Sequence, residues 1–534
     1  MRIPGQTNGS LVANNHTFPI IRSLIIVWWL SLSAGCTRAQ DNTWKQFIDD
    51  HPDKHFSILI RNAMILDGTG SPAYPGDLLI LEDRIAYAGK VESTGLKIDQ
   101  VIEADGKYLT PGFIDAHAHG NPLKEDAFVN FLAMGVTSVC LGQDGTSAMV
   151  DDIRDWFSRV GNVPQLINII PMVGHGTLRV LSGIQYAKKP DDRMLQSMAG
   201  LLDDALQAGC FGLTTGLEYE PGGFADSLEL ELLARIAGKY HRLVMSHVRN
   251  EDDNVLIQSI RELARMGKYT PVQVSHIKSV YGKGSVRGKE IVEELHRLRA
   301  AGIPITQDWY PYTASYTGLS ILFPEWAKPP NDYQSAVENR LPELRAYLKN
   351  RVNFRNGPEA TLFGSGPYLG KTLAEVAQQQ GKAFEDVLID LGPSGASAAY
   401  FIMDETLQVE LLKDSMTMIC SDGSPDMFHP RGYGSFVKII TDYVRDQKVL
   451  TLPDAIRKMT GLPAQTLQLD HRGIIEAGYY ADLVLFDPDE LLAPATYQEP
   501  HVLATGIQWV FVNGLPAWHN QAIQGQAGKL LRKK

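Results

Sequence analysis

Residues 113–119 read Phe-Ile-Asp-Ala-His-Ala-His. An apolar start running into Asp115, His117 and His119 is the text of a short buried strand that ends in metal-binding groups. Side chains alternate along a strand, so His117 and His119 point to the same side. Outward from this stretch, seven more short apolar runs follow: VTSVCLGQ (136–143), QLINIIPMV (165–173), CFGLTTG (210–216), RLVMSHV (242–248), VQVSHIK (272–278), IPITQDWY (303–310) and MTMICSD (416–422). Amphipathic stretches such as 193–208 and 286–301, each followed by Gly, separate them. Strands alternating with helices argue for parallel βαβ units. Eight such units fit an α/β fold of the TIM-like (β/α)8 barrel type. The interval 311–415, between the seventh and eighth runs, is far longer than one helix and predicts an insertion over about 320–405.

The barrel is expected over 113–465, and its flanks read differently. FSILIRNAMILDGTG and DLLILEDRIAYAGK near the start, and YADLVLFDP and GIQWVFVNGLPAW near the end, are short strands joined by turns. Asn513-Gly514 is a hairpin signal. Segments 56–112 and 466–534 are therefore expected to form a small β-sandwich. Residues 37–55 read as a polar spacer. Before it, Arg22 and the apolar run 23–35 lead into Ser33-Ala34-Gly35-Cys36, which reads as a signal peptide (1–36) with a lipoprotein-type cysteine. Lipidation of Cys36 would make the protein exported, periplasmic or membrane-anchored. Across 534 residues, 50 Lys+Arg stand against 61 Asp+Glu, and a net charge of −11 argues against a nucleic-acid partner. Four scattered cysteines exclude a disulfide scaffold.

Polar residues collect at the C-terminal ends of the eight runs, the end at which barrels of this type build active sites. His117, His119, His247, His276 and Asp422 together predict a metal site. Imidazole and carboxylate on rigid strands suit Zn²⁺, one ion or two. His276 and Lys278 share a side of their strand. His175, in a Gly-His-Gly loop, is a candidate substrate contact. Cys140 and Cys420 fall inside strands and are expected to be buried thiols.

These motifs resemble those of the amidohydrolase superfamily and, within it, the D-aminoacylase (N-acyl-D-amino-acid deacylase) family. PGFIDAHAHG resembles the superfamily's first-strand metal motif. GHGTLR (174–179), GLEYEPG (216–222), SHVRNE (246–251), SHIK (275–278), DWYPYTAS (308–315), CSDGSP (420–425) and HPRGYGSF (429–436) resemble the narrower family. The resemblance implies a metal-dependent hydrolase acting on the linear amide of small-molecule N-acyl-D-amino acids. Asp422 would be the proton-transferring group, and Arg431 would bind the α-carboxylate with help from Tyr219, Tyr312 and Ser315. Lys278 would reach an acidic substrate side chain. The family usually carries a cysteine ligand after the second strand, whereas here Gly142-Gln143-Asp144-Gly145 puts Asp144 there. Asp144, His247 and His276 would hold one Zn²⁺, and His117 and His119 a second position. No Lys follows the fourth strand, which disfavours a carbamylated-lysine bridge. A dipeptidase acting on peptides with a D-residue and a non-catalytic binding lipoprotein are the alternative readings.

Overall fold

The computed structural model describes residues 44–124, 127–150 and 152–533. The expected signal segment and Cys36 lie outside them. Among the described residues no helix is long and apolar enough to cross a membrane. Residues 44–54 belong, with Lys90–Gly95, to a small compact unit separate from the rest. Within the expected spacer they form a helix over 44–50 that stacks Trp44 on Phe47.

In the larger unit the two flanks join into one nine-stranded sheet. The seam is antiparallel pairing of Tyr108–Pro111 with Leu483–Phe486, with Leu109 opposite Leu485. The expected sandwich is thus a single hydrogen-bonded sheet, which places Leu109 beside Leu485 from the far end of the sequence. Its buried face carries Ile58, Ile60, Leu78, Ile80, Leu109, Leu483 and Phe511. The Asn513-Gly514 turn has φ of 48° and 80°, the left-handed pair that a two-residue hairpin requires.

The eight expected barrel strands are present and parallel to their partners, in chain order. Phe113–Asp115, Val136–Leu141 and Asn168–Pro171 form one arc. Val173–Gly174, Gly212–Gly216, Leu243–His247, Val272–Val274, Ile305–Trp309 and Thr417–Ile419 form the other. The ladder is not one uninterrupted ring. The third run divides at Met172 between the two arcs. Beside its first half lies a C-terminal segment: Ile169 N donates to Lys529 O at 2.9 Å and Leu531 N to Ile169 O at 2.8 Å. The eighth and first strands meet through the segments that follow them. Asp422 N donates to His117 O, and His119 N to Gly423 O, each at 2.8 Å.

The helices form where the sequence caps them. Asp192–Ala208 starts at Asp191, whose carboxylate accepts from Met194 N, and stops at Gly209 with φ 116°. It buries Met198, Leu202, Ala205 and Leu206, one stripe at helical spacing. The insertion begins earlier than expected, with strand Ala314–Gly318, which joins Ser397–Phe401 and Thr361–Phe363 in a three-stranded antiparallel sheet. Helices Tyr333–Phe354, Leu373–Gln380 and Phe384–Leu391 pack on it around Leu344, Leu348, Phe363 and Tyr400, a core separate from the barrel's.

Candidate metal centre

A cavity of about 380 Å³ opens where the strands end. Barrel residues His119, Asp144, Glu218, Tyr219, His247, Glu251, His276, Lys278, Asp422 and Arg431 line one side of it. Ser315, Tyr316, Thr317, Ile321, Arg355 and Ile402 from the insertion line the other.

Asp144 sits at the centre of the imidazoles. Its Oδ1 lies 3.3 Å from His276 Nε2, 3.4 Å from His117 Nε2 and 4.0 Å from His247 Nδ1. Its Oδ2 lies 3.5 Å from His119 Nε2. One carboxylate therefore faces all four histidines. Local backbone aims it there: Gly142, Asp144 and Gly145 all have positive φ, and Gln143 Nε2 ties the turn to Ala116 O. Asp422 lies on the first-strand side, 3.1 Å from His119 Nε2 and 3.6 Å from His117 Nε2. His117, His276, Asp144 and Asp422 offer one donor atom each, all within 4.8 Å of one another. His247, His276 and Glu251 form a second such group. Asp144, His276 and Asp422 have φ of 53°, 35° and 49°. Non-glycine residues rarely adopt that region, and strain of this kind concentrates at functional sites.

A second layer orients the ligands. His247 Nε2 lies 3.0 Å from Glu218 Oε2 and its Nδ1 3.0 Å from His276 Nε2. Lys278 Nζ donates to Glu251 Oε1 and to His276 Nδ1, each at 2.7 Å. Asp308 accepts from His276 N and Gln273 Nε2, fixing the sixth strand's end. Arg431 Nη1 stands 2.8 Å from Asp422 Oδ2 as an ion contact.

The residues fit a divalent cation. His117 is fully buried, yet neither ring nitrogen makes a hydrogen bond, an arrangement that leaves its lone pair for another partner. Lys278 offsets Glu251 and Arg431 offsets Asp422, while Asp144 and Glu218 stand beside imidazoles. Burial works against the Asp144 charge, but His117 and His276 hold its carboxyl well below the usual range. Burial likewise opposes ionisation of Asp422, and Arg431 and His276 override it. Burial and Lys278 work against a charge on His276, yet Asp144 and Asp422 push it up to about 10. Against the same cost of burial, those two carboxylates push His119 up to about 9. A site that draws protons onto imidazoles this strongly presents the ionised carboxylates and ring lone pairs for which a metal competes.

Two of the expected substrate contacts lie elsewhere. His175 is buried away from the cavity, with Nε2 2.7 Å from Glu229 Oε1; Arg179 binds the same carboxylate at 2.6 Å. Tyr312 is spent on Pro430 O at 3.2 Å and packs edge-on to His429, while Tyr316 takes the cavity wall. Lys278 lines the cavity, but Glu251 and His276 occupy its ammonium. Tyr219, Ser315 and Arg431 do line the cavity. Cys140 and Cys420 are buried, and desolvation pushes both thiols up. Sequence reasoning did not assign Glu218, Glu251 or Arg355 a role. Glu218 and Glu251 stood in the motifs GLEYEPG and SHVRNE, next to the assigned Tyr219 and His247.

Parallel strands delivering four imidazoles and two carboxylates to one mouth define a metal-dependent hydrolase. The Amidohydrolase family model matches residues 409–516. N-acyl-D-glutamate deacylase of Alcaligenes xylosoxydans xylosoxydans is 31% identical over 502 residues, covering 89% of this chain and 96% of that one. N-acyl-D-glutamate deacylase of Bordetella bronchiseptica, solved with zinc and a phosphonate mimic of the tetrahedral intermediate, is similar with a TM-score of 0.77. It is 29% identical, and the match covers 90% of this chain and 100% of that one. A D-aminoacylase studied for its binuclear metal centre matches with a TM-score of 0.78 and 30% identity, over the same shares of the two chains. This chain belongs to the amidohydrolase family, in its N-acyl-D-amino-acid deacylase branch.

Proposed function

We propose that the protein hydrolyses the amide of N-acyl-D-amino acids, releasing a carboxylate and the free D-amino acid. The observation that carries this reading is Asp144 facing four histidines, with Asp422 and Arg431 in contact at the same cavity. Asp144, His247 and His276 would hold one Zn²⁺, and His117 and His119 the groups of a second position. When bound, zinc supplies Lewis acidity toward a carbonyl oxygen and toward water.

The chain's own residues do the rest. Asp422, kept ionised, accepts the proton of the attacking water and returns it to the leaving nitrogen. Arg431 holds the substrate α-carboxylate with its planar fork, and Tyr219 and Ser315 bound the position of the scissile amide. The insertion forms the far wall and excludes water from the amide. The run into Ser33-Ala34-Gly35-Cys36 supports export and lipidation at Cys36, and an intact Met1 in mass spectra of the mature protein would rule that out.

The test is metal analysis of the purified protein with a screen of N-acetyl-D- and N-acetyl-L-amino acids and dipeptides. Zinc with D-selective deacylation is expected. Peptide cleavage without deacylation would favour the dipeptidase reading, and binding without turnover the non-catalytic one.

A further inference from the structure

The cavity contains a cation that no carboxylate among the described residues pairs with. Arg355 follows helix Tyr333–Phe354 in the insertion and faces the same cavity as Asp144 and Asp422. It is 3% exposed and its Nε makes no hydrogen bond. Among the described residues no carboxylate stands within ion-pairing reach of its guanidinium. One turn earlier, Arg351 is paired with Asp252 at 2.9 Å. The guanidinium of Arg355 instead lies 5.0 Å from the Tyr400 ring centre, and Val280, Ile321 and Ile402 supply apolar wall to the cavity. A buried cation without a counter-charge is strongly unfavourable unless a ligand supplies one. Arg431, the other guanidinium of the cavity, already faces Asp422.

We propose that Arg355 receives a second carboxylate of the substrate, so that the preferred substrate is a dianion whose α-carboxylate lies on Arg431 and whose other carboxylate lies on Arg355. This rests on the deacylase reading and narrows it to a substrate class. Lys278, the residue the sequence suggested for an acidic side chain, is committed to Glu251 and His276. The second carboxylate could sit on the amino-acid side chain or on the acyl group, and the substrates below separate the two.

The experiment compares kcat/KM of wild type and Arg355→Met on N-acetyl-D-glutamate, its neutral isostere N-acetyl-D-glutamine, N-acetyl-D-alanine and N-succinyl-D-alanine. Wild type should prefer the dianions. The Met variant should lose about a hundredfold or more on them, the usual scale for truncating one partner of a buried charge pair, while the neutral substrates change only a few-fold. Loss confined to N-acetyl-D-glutamate places the carboxylate on the side chain; loss confined to N-succinyl-D-alanine places it on the acyl group. Arg355→Lys, which keeps the charge without the fork, should be intermediate and guards against misfolding of the Met variant. Wild type preferring neither N-acetyl-D-glutamate over N-acetyl-D-glutamine nor N-succinyl-D-alanine over N-acetyl-D-alanine, or a uniform loss on all four, would overturn the proposal. Thermal stabilisation by glutarate, expected for wild type and absent in Arg355→Met, reads the same contact without turnover. Inactivity of wild type on every substrate with that glutarate shift intact would overturn the deacylase reading and leave the anion subsite standing.

Discussion

Replacing Asp144 by Ala tests the centre of the site. Asp144 turns its two oxygens toward both histidine pairs, at 3.3–4.0 Å. Four donor residues within 4.8 Å of one another share the work of holding a cation. Zinc bound by four protein ligands is worth about 10–16 kcal/mol, so one ligand accounts for about 3 kcal/mol, a weakening of metal binding of roughly 150-fold. The real loss should exceed this, because the remaining imidazoles then face one another without an intervening carboxylate. The assay is metal content after dialysis against graded chelator, with activity measured in parallel. Asp144→Ala should lose metal at chelator concentrations that wild type survives and should be inactive. Asp144→Cys should retain metal and shift preference toward zinc over harder ions, since thiolate is the softer ligand. Wild-type metal affinity in Asp144→Ala would show that this carboxylate is not a ligand.

Three further outcomes follow from other contacts. Asp422→Asn should keep its metal and fold but lose about 10²–10⁴-fold in kcat, because an amide cannot accept the water's proton; turnover near wild type would remove Asp422 from that role. Glu229→Ala leaves the fully buried Arg179 and His175 facing no charge, and should cost about 3–5 kcal/mol in denaturant unfolding with metal content unchanged; a cost below about 1 kcal/mol would refute the account. Burial lowers Lys458 to about 8 from its ordinary 10.5, so the unfolded chain binds more protons between those values and wild-type stability should rise with pH across that window, by about 3 kcal/mol relative to Lys458→Met; a difference independent of pH would contradict it.

What could be read from the sequence follows locality. His117 and His119 were legible because a strand's alternation relates residues two apart, and Asp422 because it closes an apolar run. Asp144 was legible by its place after the second strand. Tyr312 and Tyr316 could not be ranked from the sequence. The backbone enters the insertion's strand only at Ala314, and Tyr312 is pulled onto Pro430 O by a contact spanning 118 residues. His175 looked like a loop residue at the mouth, yet the helix that begins at it turns the ring onto Glu229, 54 residues away. Arg355 comes from an insertion whose folding over the mouth no periodicity announces. The sandwich expectation joined the two flanks but could not foresee the seam between Leu109 and Leu485, because pairing across such a separation leaves no local trace.

The C-terminal segment alongside Ile169 also bears on when the fold can be finished during synthesis. Lys529 N donates to Asn168 Oδ1 at 3.1 Å, across 361 positions of chain. At roughly 5–20 residues per second, about 20–70 s separate the emergence of these two ends from a ribosome. Throughout that interval the third strand carries an open edge, a template for pairing with another chain. The same delay applies to the seam of the nine-stranded sheet, whose first half must wait for residues 483–486. Completion of the fold must therefore wait for residues 529–531, and a nascent chain should stay dependent on whatever shields open strands until they emerge.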